Sequence, residues 1–180
     1  MGSIERIKNV AQRVKRWHDN GHQVVVVVSA MSGETNRLLA LAKELAPSRA
    51  STAYHRELDM LAATGEQASS ALLAIALQSE GQPAVSYTGW QVPIRTDSGY
   101  TKARIESIDD VRVRAELDAG KVAIVTGFQG IDSLNNITTL GRGGSDTSAV
   151  AVAAAMKAAE CLIFTDVDAG YPTDPRVVPE

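Results

Sequence analysis

The chain has 180 residues, of which 44% are hydrophobic and 22% charged, and its formal net charge is −3 at pH 7. This balance is typical of one globular domain with a buried core, and it excludes the dense positive charge of a nucleic-acid-binding surface. A single cysteine rules out an intrachain disulfide framework, and no apolar run approaches the roughly 20 residues of a membrane helix, so we expect a cytoplasmic protein with no nucleic-acid or membrane partner.

Predicted helices and short strands alternate along the chain. Apolar residues recur at helical spacing in these segments, in chain order: 4–17, 38–45, 54–63, 66–80, 109–119 and 145–159. Short apolar, often β-branched runs predict strands, in the same order: 24–28, 84–87, 122–126 and 162–165. Alternating strands and helices predict an α/β fold with a mostly parallel central sheet and helices on both faces.

Three stretches lack a clear period. Residues 88–107 are predicted to form an irregular or hairpin-like excursion, and 127–140 a loop with a turn near Asn135. The tail 166–180 contains three prolines and is predicted to hold no further element. No internal repeat or low-complexity linker is present, so we expect a single domain over residues 1–180.

Polar segments follow three of the predicted strands, at 29–36, 126–146 and 165–176. Parallel sheets bind ligands beyond the carboxyl ends of their strands, so these segments are expected to share one ligand site. Residues 138–148, TTLGRGGSDTS, carry the strongest signal. Glycines let a backbone approach a ligand, the N–H groups at a helix start bind anions, and Arg142 adds a fork suited to carboxylate or phosphate. The alternative is a glycine turn followed by an N-cap, but the arginine between glycines favours an anion site.

Weaker signals leave two interpretations open. Segment 29–36 suits a polar ligand or a capped loop, and the chance is even. Asp166 and Asp168 could hold Mg²⁺ through water or contact a nucleotide, with Tyr171 against its base, or they could form an ordinary turn. Glu66 could bind an ammonium group, although its spacing alone favours a first-turn acid that complements the helix dipole.

These segments, in this order, resemble the aspartokinases of the amino-acid kinase family. The segments that carry the resemblance are 24–38, 57–67, 96–105, 127–130 with 138–146, and 164–179. The resemblance implies a three-layer α/β/α sandwich around a mostly parallel sheet. It implies transfer of the ATP γ-phosphoryl group, with Mg²⁺, to the side-chain carboxylate of L-aspartate. That reaction is the first step toward lysine, threonine and methionine.

The resemblance also implies a role for individual residues. Glu66 would hold the ammonium group of aspartate, and Arg142 its carboxylate. The residues that would bind L-aspartate are Thr35, Glu66, Arg142 and Ser145. Those that would act in the transfer are Arg142 and Asp146. Those that would bind ATP are Thr165, Asp166, Tyr171 and Arg176. No residue is assigned to a metal.

The resemblance stops short of the family pattern at both ends. The family begins with a strand ending in Lys-Phe-Gly-Gly-Thr-Ser, whose lysine contacts the phosphates, and it ends with paired ACT regulatory domains. Neither is found in this sequence, so we expect a catalytic domain that lacks its first strand, associates with itself or another chain, and turns over weakly. The alternatives are a non-catalytic remnant or binding subunit, and a kinase for glutamate, acetylglutamate or UMP.

Overall fold

The computed structural model describes residues 2–48, 50–164 and, through the backbone alone, 176–178. The helices of these residues are α1 (Ile4–Asp19), α2 (Glu34–Leu45), α3 (Thr52–Ala62), α4 (Thr64–Ser79), α5 (Val111–Asp118) and α6 (Gly144–Met156). The strands are β1 (Val25–Val28), β2 (Ala84–Tyr87), β3 (Ile94–Thr96), β4 (Ile105–Ile108), β5 (Val122–Thr126), β6 (Gln129–Ile131), β7 (Ile137–Thr139), β8 (Cys161–Ile163) and β9 (Arg176–Val178).

A three-stranded parallel sheet in the order β1-β5-β2 forms the centre of the fold. Every residue of β5 is buried, as its run of β-branched and small apolar side chains predicts for a strand covered on both faces. Within the described residues β1 pairs with β5 alone, so its other edge carries no strand.

Helices cover both faces of this sheet. Val122 and Ile124 of β5 pack with α1 and α4, whereas Ala123 and Val125 pack with α5 and α6. Successive side chains of a strand point to opposite faces, so this alternation places the helices in two layers around the sheet. The predicted α/β fold, with its parallel central sheet between helical layers, is confirmed.

A second sheet, in the order β4-β3-β6-β7, lies beside the first and corrects one prediction. β3 and β4 pair antiparallel, which confirms the hairpin-like excursion in 88–107. The loop predicted over 127–140 is wrong, because it contains β6 and β7, which pair antiparallel across a turn where Asn135 has a φ of 62°. Three-residue strands with polar side chains have no detectable period, so the sequence did not reveal them.

The tail prediction is also wrong, since β9 at 176–178 pairs antiparallel with β8. The run 52–79, which comprises α3 and α4, is long and apolar enough by length and composition to cross a membrane, contrary to the expectation that no run approaches that length. Half of the apolar window in that run is buried inside the fold, and the run contains Asp59 and Glu66, both buried carboxylates. These properties fit a core helix of the fold.

Gly130 in β6 provides a test of how closely β6 and β3 approach each other within the second sheet. A Cβ at this position would lie 2.6 Å from the carbonyl oxygen of Ile94 and 2.6 Å from Cγ2 of Thr96. Backbone atoms cannot move aside cheaply, so Gly130→Ala is expected to destabilise the fold by about 1–3 kcal/mol in urea unfolding. Gly2→Ala is the control, because its Cβ would meet Ser32 at an ordinary 3.5 Å. Equal stability of the two variants would contradict the close approach of β6 to β3.

Candidate functional site

A cavity of about 410 Å³ opens beyond the carboxyl ends of β1 and β5. It is lined by the β1–α2 loop, by Glu66 of α4, by Phe128 after β5, and by the glycine loop that leads into α6. The lining residues are 29–33, 35–36, Glu66, Phe128, Gly141 and 143–146. Two of the three polar segments expected to share a ligand site therefore do so, and the third, 165–176, lies outside the described residues except for the backbone at 176.

Two helices begin at this cavity, and neither start is capped by a side chain. Gly33 precedes α2 with a φ of 79°, and Gly143 precedes α6 with a φ of 71°, a left-handed conformation that glycine adopts without strain. The second and third amides of each helix have no hydrogen-bond partner among the described residues. These amides belong to Thr35, Asn36, Ser145 and Asp146. Free N–H groups and two helix dipoles therefore make this cavity suitable for anions.

Glu66 is the buried carboxylate of the cavity, with 2% of its surface exposed. Burial raises the pKa of Glu66 to about 7, although hydrogen bonds from the backbone N–H groups of Glu66 and Ala30 and from Gln129 oppose the rise. No salt bridge joins Glu66 to a basic side chain in the described part of the chain. A buried carboxylate without a cationic partner is suited to bind a cation that a ligand brings.

Gln129 holds the Glu66 carboxylate through a hydrogen bond and does not itself line the cavity, a role that no sequence pattern indicated. Its Nε2 donates to Oε2 of Glu66 at 3.2 Å and to the carbonyl oxygen of Ala63 at 3.0 Å. Both N–H bonds are therefore used, and the fully buried amide cannot turn over without placing its oxygen against two acceptors. Gln129 thus fixes where Glu66 points.

Replacing Gln129 with leucine is expected to raise the pKa of Glu66 further, because the ionised form loses a hydrogen-bond donor. The measurement is a carbon-13 NMR titration of the Glu66 carboxyl group, which needs neither substrate nor turnover. Gln82→Leu is the matched control, since Gln82 is also a buried glutamine but donates to Pro83. A Glu66 midpoint that is the same in both variants would show that Gln129 does not affect its ionisation.

Phe128 shapes the mouth of the cavity in a strained conformation, with a φ of 70°. Ser148 of α6 accepts the N–H of Phe128 at 2.9 Å and donates to the carbonyl oxygen of Gly144 at 2.8 Å. A Cβ on Gly144 would lie 2.6 Å from Cδ2 of Phe128, so the first turn of α6 packs directly on this ring. The positive φ of Phe128 could not be read from the sequence.

The structure brings together most of the predicted substrate residues it describes. Those that line the cavity are Thr35, Glu66, Ser145 and Asp146. Arg142 is different, because its side chain is exposed and is not part of the cavity wall, although its neighbours Gly141 and Gly143 are. The predicted nucleotide residues Thr165, Asp166 and Tyr171 lie outside the described residues, and Arg176 is described only through the backbone of β9.

Comparison with known proteins finds relatives in one family of kinases. The model of the amino acid kinase family matches residues 1–180. An aspartokinase of Pseudomonas aeruginosa is 59% identical over 180 residues, which are all of this chain and 43% of that protein. The chain therefore spans less than half the length of this curated relative.

Solved structures agree in fold. An aspartate kinase from Synechocystis superposes with a TM-score of 0.76 at 49% identity, over 92% of this chain and 26% of that one. E. coli aspartokinase III superposes with a TM-score of 0.71 at 22% identity, over 87% of this chain and 44% of that one. With a family match along its whole length, and with the cavity at the carboxyl ends of a parallel sheet, this chain belongs to the amino acid kinase family.

Proposed function

We propose that this chain is part of an aspartate kinase, which transfers the γ-phosphoryl group of ATP to the side-chain carboxylate of L-aspartate. One observation carries the proposal: two uncapped helix starts and the buried, unpaired Glu66 surround a single cavity. That cavity offers sites for anions and one site for a cation. An amino acid that receives a phosphoryl group has this combination of charges. Relatives named aspartokinase at 59% identity support the choice of substrate.

Each group of the substrate has a matching group in the cavity. Glu66 binds the ammonium group, because its carboxylate has no other cationic partner in the described part of the chain. The free amides at the start of α6, with the hydroxyl of Ser145, hold a carboxylate and the transferring phosphoryl group. Thr35 contributes the start of α2 to the same pocket. Arg142 reaches the substrate carboxylate from the rim when that negatively charged group is bound, since its side chain is exposed beside the cavity.

The chemistry requires positioning more than proton transfer. A side-chain oxygen of aspartate forms a bond to the γ-phosphorus, and the bond from that phosphorus to the β–γ bridging oxygen breaks, so ADP leaves with the electron pair. The aspartate side chain is already ionised at pH 7, so no general base is needed. The amides of α2 and α6 stabilise the charge that spreads over the phosphoryl oxygens during transfer.

ATP is the second substrate that this proposal requires, with Mg²⁺ as its counter-ion. E. coli aspartokinase III, which shares the fold, was solved with aspartate and ADP. The nucleotide phosphates would carry Mg²⁺, and Asp146 is a carboxylate of the cavity wall available to it. Mg²⁺ neutralises phosphate charge when bound. Thr165, Asp166, Tyr171 and Arg176 remain the proposed nucleotide contacts.

The wider setting is part of the same proposal. Residues 1–180 form one partial catalytic domain of a cytoplasmic enzyme that acts at the start of lysine, threonine and methionine synthesis. The edge of β1, unpaired within the described residues, favours association with a second copy or with another chain, because an open edge offers unpaired N–H and C=O groups.

The proposal is tested by calorimetry of the 180-residue chain with L-aspartate, L-glutamate and UMP, each with and without Mg-ATP, beside an assay of ADP release. We expect aspartate to bind most tightly and ADP release, however slow, to depend on aspartate. Preference for glutamate or UMP would assign the chain to another kinase of the family. Binding of aspartate without any ADP release would support a binding subunit, and failure to bind any of the three would refute the proposal.

A further inference from the structure

Asp59 of α3 is a second buried carboxylate, 1% exposed, that lies outside the cavity wall. Its two oxygens both accept from the N–H of Thr101 at 3.0 Å, and Thr139 donates to them through its N–H at 2.9 Å and its hydroxyl at 2.7 Å. All of these donors are neutral, and no salt bridge to Asp59 forms in the described segments. A buried carboxylate that only neutral groups solvate costs the fold free energy. The residues that donate to Asp59 therefore indicate which part of the structure this side chain holds in position.

The first partner belongs to a strained turn that supports the glycine loop. Thr101 has a φ of 71°, which is unfavourable for a β-branched residue, and both oxygens of Asp59 hold its N–H. The carbonyl oxygen of Thr101 lies 3.1 Å from where a Cβ of Gly141 would be, so the turn packs against the start of the glycine loop.

The second partner leads directly into that loop. Thr139 is the last residue of β7, and its carbonyl oxygen accepts the N–H of Ala103 at 2.9 Å. Two residues later Gly141 begins the segment that lines the cavity and starts α6. Asp59 is also joined to Glu66, because α3 runs into α4 with one residue between them. Asp59 therefore connects α3, which runs directly into the helix that carries Glu66, with the loop that leads into the anion-binding amides of α6.

We propose that Asp59 is a positioning residue. By accepting hydrogen bonds from both Thr101 and Thr139, it holds the glycine loop 140–144 at a fixed position relative to Glu66. This inference rests on the proposed function, since it assigns Asp59 a role in setting the distance between the ammonium and anion sites. Its structural part, the anchoring of the loop, stands without any ligand.

Asp132 provides a matched control within the same chain. It is also 1% exposed, and it accepts four hydrogen bonds at 2.8–3.0 Å from Ser98, Tyr100, Leu134 and Asn136. It stabilises the β6–β7 turn and, through Ser98 and Tyr100, also contacts the turn that contains Thr101, but it bonds to neither Thr101 nor Thr139 and is absent from the cavity wall. A substitution to asparagine at either position places an amide where a carboxylate met several donors. Burial raises the pKa of Asp59, whereas at Asp132 burial is outweighed by hydrogen bonds that lower its pKa, so Asp132→Asn should cost the fold at least as much stability as Asp59→Asn.

The experiment compares Asp59→Asn with Asp132→Asn by hydrogen–deuterium exchange without ligand, and then by calorimetry with L-aspartate. Asp59→Asn is expected to speed exchange in the peptide covering 140–147 by about tenfold and to weaken aspartate binding by about tenfold, the effect of one lost hydrogen bond to a charged group. Asp132→Asn should change both much less, because Asp132 bonds to neither Thr101 nor Thr139, even though it should lower the melting temperature at least as much. Unchanged exchange in Asp59→Asn, or equal acceleration in both variants, would overturn the proposal.

If Asp59→Asn does not fold, two less disruptive variants of its partner Thr139 test the same proposal. Thr139→Val removes one donor to Asp59 while keeping the shape of the side chain, and Thr139→Ser keeps the hydroxyl. Faster exchange over 140–147 in the valine variant alone supports the proposal, and equal exchange in both opposes it. Should the wild-type chain bind no aspartate, the proposed function fails, while the exchange of the ligand-free loop still decides the role of Asp59.

Discussion

Glu66→Gln is expected to weaken L-aspartate binding by about 100- to 1,000-fold, because removing one member of a buried charge pair leaves the ligand ammonium group unpaired. Glutamine has almost the same shape as glutamate, so the cavity keeps its size and the loss reports charge alone. Calorimetry at pH 8, where wild-type Glu66 is ionised, gives the largest difference. Binding within threefold of wild type would remove Glu66 from the substrate site.

Glu66→Gln should be more stable to unfolding than wild type at pH 8, the same pH at which it binds L-aspartate less tightly. The pKa of Glu66 is raised from its ordinary value of 4.5 to about 7, so the folded state holds a proton that the unfolded state releases between these pH values. The contribution of Glu66 to stability is therefore full below pH 4.5 and is lost as pH rises to about 7, a change of about 3 kcal/mol. Glutamine stays neutral, so Glu66→Gln should unfold at higher urea concentration than wild type at pH 8 and at a similar concentration at pH 4.5.

Ionisation of Glu66 should also control substrate affinity, which is expected to rise with pH whereas stability falls. A ligand ammonium group binds the ionised form of Glu66, so wild-type affinity is expected to fall as pH drops below about 7, by up to tenfold per unit. Glu66→Gln should show no such dependence on this group. A flat wild-type affinity between pH 5.5 and 8 would mean that Glu66 does not meet the ammonium group.

The central sheet could be predicted well from the sequence because local composition decides it. The β-branched run 122–126 is typical of a strand buried on both faces, and the glycines at 141, 143 and 144 favour a turn before a helix. Short strands are different, since β6 and β7 exist through their pairing with each other and with β3. No local pattern carries that information.

The residues that hold the site were missed for a related reason. Gln129 meets Glu66 across 63 positions of sequence, and Asp59 meets Thr139 across 80. A buried glutamine and a buried aspartate have no period or spacing that reveals their partner. Spacing did predict that segments 29–36 and 126–146 share one site, because strand ends and helix starts are local features and a parallel sheet brings them to one edge. It did not single out Glu66, whose spacing alone favoured a first-turn acid.

Arg142 is the residue for which the resemblance to aspartokinases and the structure lead to different expectations, and its substitution separates them. The resemblance implies that its guanidinium holds the substrate carboxylate, whereas the structure leaves that side chain exposed on the rim. If ligand charge draws the side chain inward, Arg142→Ala should weaken aspartate binding by about 10- to 100-fold, the effect of losing charged hydrogen bonds worth about 1.5–3 kcal/mol. Stability should change by less than about 0.5 kcal/mol, since the side chain that is removed is exposed.

Arg142→Lys and Arg104→Ala complete this test. Lysine keeps the charge but cannot form the two parallel hydrogen bonds of a guanidinium, so Arg142→Lys should recover only part of the affinity. Arg104 is an exposed arginine outside the cavity wall, and its loss should leave binding unchanged. If Arg142→Ala also binds aspartate like wild type, the guanidinium has no part in recognition. The free amides of Ser145 and Asp146 must then hold the substrate carboxylate without it.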